Sequence, residues 1–123
     1  MSTRPLANYC ILIVEDDPII GLDLWETLEV AGATVVGPAH DVVGALALLE
    51  RSSVDAAVLD NLILGGDSRP IADLLSQRGI TFLFHTSHRD GLQKRYPSVT
   101  IIDKPSRPGE LIRTLQAHLA KSP

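Results

Sequence analysis

Five short, largely apolar runs, at residues 11–14, 34–36, 56–59, 81–84 and 99–102, recur along the chain, and segments with helical periodicity separate them. Runs of three or four residues are too short for buried helices, and a strand without polar alternation is one covered on both faces. Such strands belong to parallel sheets, whose right-handed crossovers bring a helix back over one face or the other. The alternation therefore predicts a doubly wound α/β fold with a five-stranded parallel sheet.

The helical segments carry their own start and stop signals. Asp17-Pro18 reads as an N-cap followed by proline at the first helical position; Ile20, Leu24, Leu28 and Ala31 then share one face until Gly32 ends the helix. Asp41 caps a second helix through Glu50 that is expected to bury Val43, Leu46 and Leu49 or close neighbours. Gly65-Gly66 is a turn signal, Pro70 opens a helix carrying Ile71, Leu74 and Leu75, and Gly79 closes it. Pro108 opens a last helix with Leu111, Ile112, Leu115 and Leu119 as its buried stripe. Residues 87–98 differ: they are polar, contain Gly91 and Pro97, and offer only Leu92 and Tyr96 as anchors, so the fourth helix is expected to be short or irregular.

A length of 123 residues fits one domain, placed at 8–121, with 1–7 expected to form a disordered N-terminal tail. The formal net charge of -4 and the lack of a basic face argue against nucleic acid as a partner. No apolar stretch approaches the roughly 20 residues of a membrane span, so no membrane association is expected and the cytoplasm is the default location. The single Cys10 opens an apolar run and reads as a small buried filler.

The chemistry collects at the ends of the runs. The first leads into Glu15-Asp16-Asp17, the third into Asp60, the fourth into His85-Thr86-Ser87 and the fifth into Asp103-Lys104-Pro105. In a parallel sheet these ends meet at one edge, where ligands bind. Crowded carboxylates repel one another and invite a hard divalent cation, and a lysine beside them could hold a phosphoryl group, with hydroxyls available to its oxygens. The cluster reads as a magnesium-dependent aspartyl-phosphate site. Asp17 itself needs no role beyond capping, and of His85 and His88 one is expected to pack and the other to be solvated.

With these residues in place, positions 8–120 resemble the receiver domain of two-component response regulators, of the stand-alone type. In that family an acidic pair ends strand one, the phosphorylated aspartate ends strand three, a threonine or serine ends strand four and Lys-Pro follows strand five; here these are Glu15-Asp16, Asp60, Thr86 and Lys104-Pro105. The resemblance implies a flavodoxin-like sheet in the order 2-1-3-4-5 with five helices, Mg²⁺ as cofactor and a histidine kinase or histidine phosphotransfer protein as donor. It implies Asp60 as phosphoacceptor and Asp16 and Asp60 as direct metal ligands. Glu15 would act through water and Leu62 through its backbone carbonyl, while Thr86, Ser87 and Lys104 would bind phosphate and Pro105 would shape the site. Mutual repulsion among the metal-free carboxylates should raise at least one pKa.

Phosphorylation would draw the Thr86 hydroxyl inward and shift residues 88–98, strand five and the last helix, where a downstream protein binds. No turnover of an outside substrate is expected. Ile101 stands where many receivers carry an aromatic residue, and Phe84-His85-Thr86-Ser87 resembles the Phe-Ala-Thr-Gly of one stand-alone branch. The alternative is a receiver-like binding module that works without phosphorylation. A phosphohydrolase of the haloacid dehalogenase type would need an acid where Leu62 stands, and a nucleotide site would need a glycine-rich loop in place of Glu15-Asp16-Asp17.

Overall fold

Consecutive residues of each strand point to opposite faces, and in this chain both faces find a helical cover. The computed structural model describes residues 4–120. In chain order the elements are β1 (Cys10–Val14), α1 (Pro18–Val30), β2 (Thr34–Ala39), α2 (Val42–Arg51), β3 (Ala56–Leu59), β4 (Leu62–Ile63), β5 (Gly66–Asp67), α3 (Arg69–Gln77), β6 (Thr81–Thr86), α4 (Leu92–Arg95), β7 (Ile101–Asp103) and α5 (Pro108–Ala120). The main sheet runs β2-β1-β3-β6-β7 with every neighbour parallel. Counted over its own five strands, that is the expected 2-1-3-4-5 order, with five helices of which the fourth has four residues.

Leu12, Val14, Ala57, Leu59, Phe82 and Phe84 face α2, α3 and α4, packing on Ala45, Leu49, Ile71, Leu75 and Leu92. Ile11, Ile13, Ala56, Val58, Leu83 and Ile102 face α1 and α5, packing on Leu24, Leu28, Leu111, Leu115 and Leu119. Sheet order reverses between β1 and β3, so the crevice at their carboxyl ends opens between a crossover on one face and a crossover on the other.

The structure revises several expectations. Residues 4–7 are not a loose tail: Leu6 is fully buried against the α1 side, and its N–H bonds the Ala31 carbonyl. Gly32 makes room for this segment, since a Cβ there would stand 2.7 Å from the Arg4 Cβ. The rest of the expected tail, residues 1–3, and the domain boundary at 121 lie outside the described residues. On α2 Leu49 is buried as expected, but Val43 is exposed and the neighbouring Ala45 turns inward in its place. Of the expected Gly65-Gly66 turn only Gly65 lies in a turn: Leu64-Gly65 connects a two-residue-per-strand antiparallel hairpin, β4–β5, that run lengths did not reveal, and Gly66 pairs with Ile63 within it. β2 extends to Ala39 past a register shift opposite Leu12 and Val14, and β7 begins only at Ile101. Among the described residues no helix is long and apolar enough to cross a membrane.

Candidate phosphoacceptor and metal site

Register builds the site. Val14 pairs with Leu59 and Leu59 with Phe84, so the next residues, Glu15, Asp60 and His85, form a row at the carboxyl edge on the α1/α5 side. β7 ends alongside, with Asp103 paired to Thr86, and delivers Lys104. Glu15 and Asp60 are 1% and 7% exposed, a burial that carboxylates tolerate only with partners. Lys104 supplies one: its Nζ donates to Glu15 Oε1 at 2.6 Å and to Asp60 Oδ2 at 2.8 Å. The Glu15 Oε2 accepts the Asp17 N–H at 3.1 Å, while Asp60 Oδ1 is buried without a protein partner. Behind the carboxylate, the buried Ser68 hydroxyl donates to the Asp60 carbonyl.

Burial pushes the Glu15 carboxyl above its usual range even though Lys104 and the Asp17 N–H oppose it; the Asp60 charge adds a smaller push. A raised carboxyl is what the sequence led us to expect, but desolvation rather than mutual repulsion is its main cause. Burial disfavours the Lys104 ammonium too, yet the two carboxylates outweigh it and hold that group above its ordinary value.

Glu15, Asp16 and Asp60 each bring one carboxylate oxygen to within 4.8 Å of the others. Opposite oxygens around Mg²⁺ stand about 4.2 Å apart, so this hard-oxygen set, with the unpartnered Asp60 Oδ1, fits a small divalent cation after slight closing. Leu62, Ser87 and His88 line the same cleft of about 290 Å³ with the carboxylates and Lys104. Thr86 is fully buried at its back, its Oγ1 accepting the His88 N–H at 3.0 Å. Ser87 is exposed at the rim, and the Lys104–Pro105 bond is cis. Of the residues singled out from sequence, Glu15, Asp16, Asp60, Leu62, Ser87 and Lys104 border one crevice; Thr86 lies fully buried beside His88, and Pro105 lines the neighbouring cavity beside Lys104.

Three polar links had not been anticipated. Ser68 reaches the Asp60 backbone, the Asn61 amide donates to the His88 carbonyl at 2.8 Å, and His85 Nε2 shares a 2.8 Å hydrogen bond with Ser106 Oγ. For His85 a signal existed: with Leu83 facing α1 and α5, strand alternation puts His85 on that side. Burial, then the Lys104 charge, holds its imidazole below the ordinary value. His88 is exposed, so one histidine packs and the other meets solvent as expected.

A doubly wound sheet with buried acids at its switch point, a hydroxyl on the next strand and a lysine on the last defines the receiver class of signalling domain. SdrG from Sphingomonas melonis Fr1 is 38% identical to this chain over 98% of it and 99% of SdrG, with a TM-score of 0.79. SdrG in its BeF3-activated conformation, from Pseudomonas melonis Fr1, matches with a TM-score of 0.74. The response regulator PhyR from Brucella abortus shares the fold at 24% identity and a TM-score of 0.83, over 96% of this chain and 50% of that protein. A response regulator receiver protein from Sinorhizobium medicae WSM419 shares it at 22% identity and a TM-score of 0.83, over 92% of this chain and 95% of that one. No protein-family model and no curated protein matches the chain. The chain belongs to the receiver-domain family of two-component response regulators.

Proposed function

We propose that this receiver accepts a phosphoryl group on Asp60 from a phosphohistidine of a histidine kinase or phosphotransfer protein. The observation that carries the reading is the split environment of that carboxylate: Oδ2 is held by Lys104, and Oδ1 is buried with no protein partner beside two further acids. Glu15, Asp16 and Asp60, with the Leu62 backbone, would hold Mg²⁺, which when bound offsets the charge of the carboxylates and of the incoming phosphate. An Asp60 oxygen attacks phosphorus as the P–N bond of the donor breaks, and the Lys104 ammonium balances charge on the transferred group. Thr86 can turn its hydroxyl proton to a phosphoryl oxygen, and its bond to the His88 N–H ties that turn to the following loop. Ser87 at the rim adds a further donor.

The output is association: the loop at 87–98, β7 and α5 present one face to a downstream protein in the phosphorylated state and another in the free state. No outside substrate is turned over. The likeness to SdrG, which has a BeF3-activated conformation, supports this reading. Intact mass after incubation with Mg²⁺ and a small phosphodonor tests it. Wild type gains one phosphoryl group, Asp60→Asn gains none, and a chelator abolishes the gain. No gain in wild type with any donor would instead favour a binding module that works unphosphorylated.

A further inference from the structure

Two consecutive residues of β6 hold the loop that carries Lys104. Thr86 accepts the Lys104 N–H at its carbonyl, 3.1 Å away. His85, whose side chain leaves the other face of the strand, meets the Ser106 hydroxyl two residues past the lysine at 2.8 Å. We propose that His85 and Ser106 are positioning residues for Lys104, clamping its loop from the far side so that the ammonium reaches both carboxylates and, after transfer, the phosphoryl group on Asp60. The inference rests on the phosphoacceptor reading of that site.

Packing does not hold the loop in place by itself. A cavity of about 150 Å³ between α1 and α5, lined by Ile20, Leu24, Lys104, Ser106 and Leu111, leaves the loop room to move. Pro105, Arg107 and Pro108 are exposed. Among the described residues, Ser106 supplies the only side-chain hydrogen bond from residues 105–107 to the sheet. The imidazole is 5% exposed, and its Nδ1 already lacks a partner, so losing Ser106 would take away the only protein hydrogen bond the ring makes. That cost holds the hydroxyl, and with it the loop, against β6. Lys104 must span from the end of β7 to carboxylates just past β1 and β3, so a displacement of its loop moves the ammonium off both at once.

Ser106→Ala removes the hydroxyl from a half-buried loop site, and Ser106→Thr keeps one. The first readout is acylation of the Lys104 amine by a small amine-reactive reagent without added metal, followed by peptide mass spectrometry. Labelling is expected to be about threefold to tenfold faster in Ser106→Ala, the range for one lost hydrogen bond, and to return toward wild type in Ser106→Thr. The second is phosphoryl uptake from acetyl phosphate. It should slow by a similar factor in Ser106→Ala, with the Mg²⁺ concentration for half-maximal uptake unchanged because the carboxylates are untouched. His85→Leu, which offers Ser106 no hydrogen-bonding group, should reproduce both effects, and adding Ser106→Ala to it should change neither further. Equal labelling of Lys104 in wild type and folded Ser106→Ala overturns the clamp, whatever happens to phosphate. Faster labelling in that variant, together with no uptake even by wild type, supports the clamp and overturns the phosphoacceptor reading alone.

Discussion

The two sides of the crevice are built differently. On one side, β1 and β3 are buried almost completely, and α1 runs 13 residues from an Asp17 cap that accepts the Ile19 and Ile20 N–H groups at 2.9 and 3.2 Å. On the other, the chain between β6 and β7 forms a single four-residue helix that follows Gly91 in the left-handed region at φ 79° and has no side-chain cap. Leu92 and Tyr96 anchor it, and the remaining ties are polar and mostly exposed: Arg89 to Asp103 at 2.9 Å, Arg95 to Asp73 at 3.0 Å and Asn61 to the His88 carbonyl at 2.8 Å. Exposed ties of this kind contribute little each, whereas a dense apolar platform yields only at large cost. The same sheet edge is thus densely packed beneath the acids just past β1 and β3 and loosely held across residues 88–98.

Core truncation should expose the contrast most strongly. Leu28→Ala, at a fully buried site of α1, should cost about 3–5 kcal/mol in urea unfolding. Leu92→Ala should cost under about 2 kcal/mol, because a one-turn helix can settle into the space. Its amide exchange should quicken only near 88–98. Equal global losses would erase the distinction between the two sides.

Lys104→Met should come next, since it leaves Glu15 and Asp60 buried without their cation. About 3 kcal/mol should be lost in metal-free buffer, the range for breaking a buried pair. Added Mg²⁺ should recover part of the loss in a thermal melt, whereas a melt indifferent to Mg²⁺ would speak against a cation site among these acids.

Asp17→Ala removes two bonds from the start of α1 and should cost about 1 kcal/mol, measured by chemical denaturation, with exchange at 88–98 unchanged. Tyr96→Phe does the converse on the loose side. The ring keeps its edge contact with Phe82 and its tilted contact with Phe84, but the hydroxyl that bonds Asp73 at 2.7 Å is gone. Less than about 1 kcal/mol should be lost, with faster exchange confined to residues 92–99.

The smallest effect is a slope with pH. Burial and the Lys104 charge keep the His85 imidazole below its ordinary value, so as pH falls through about 6.5 the unfolded chain binds a proton that the native state refuses, and stability declines. Glu15 has the opposite sign: the native carboxyl, raised by burial, keeps a proton that the unfolded chain has lost, so its contribution declines as pH rises. Comparing wild type with His85→Gln isolates the imidazole, and the stability of wild type relative to the variant should drop on acidification. A difference that does not vary with pH would mean that His85 titrates normally in the fold.

Much of this was legible without coordinates. The carboxylates at 15, 16 and 60, the hydroxyl at 86 and the lysine at 104 each followed a recognisable apolar run, and the weak helix at 87–98 followed from its lack of anchors. Leu6 was missed because one leucine in a short polar segment has no periodicity to reveal its burial. The β4–β5 hairpin was missed because two residues are too few to show alternation. Ser106 was missed because a loop serine carries no mark of the buried ring it meets.

Local patterning alone determined the alternation of strands and helices and hence the edge at which the charged groups gather, because periodicity and capping act over a few residues. Only the tertiary structure decided that Lys104 pairs with Glu15 across 89 residues of sequence and with Asp60 across 44. It likewise decided that burial governs the Glu15 carboxyl and that a buried histidine one strand away meets Ser106 in the lysine's loop. Those outcomes depend on sheet register and on water excluded by distant segments, and no local stretch of sequence encodes either one.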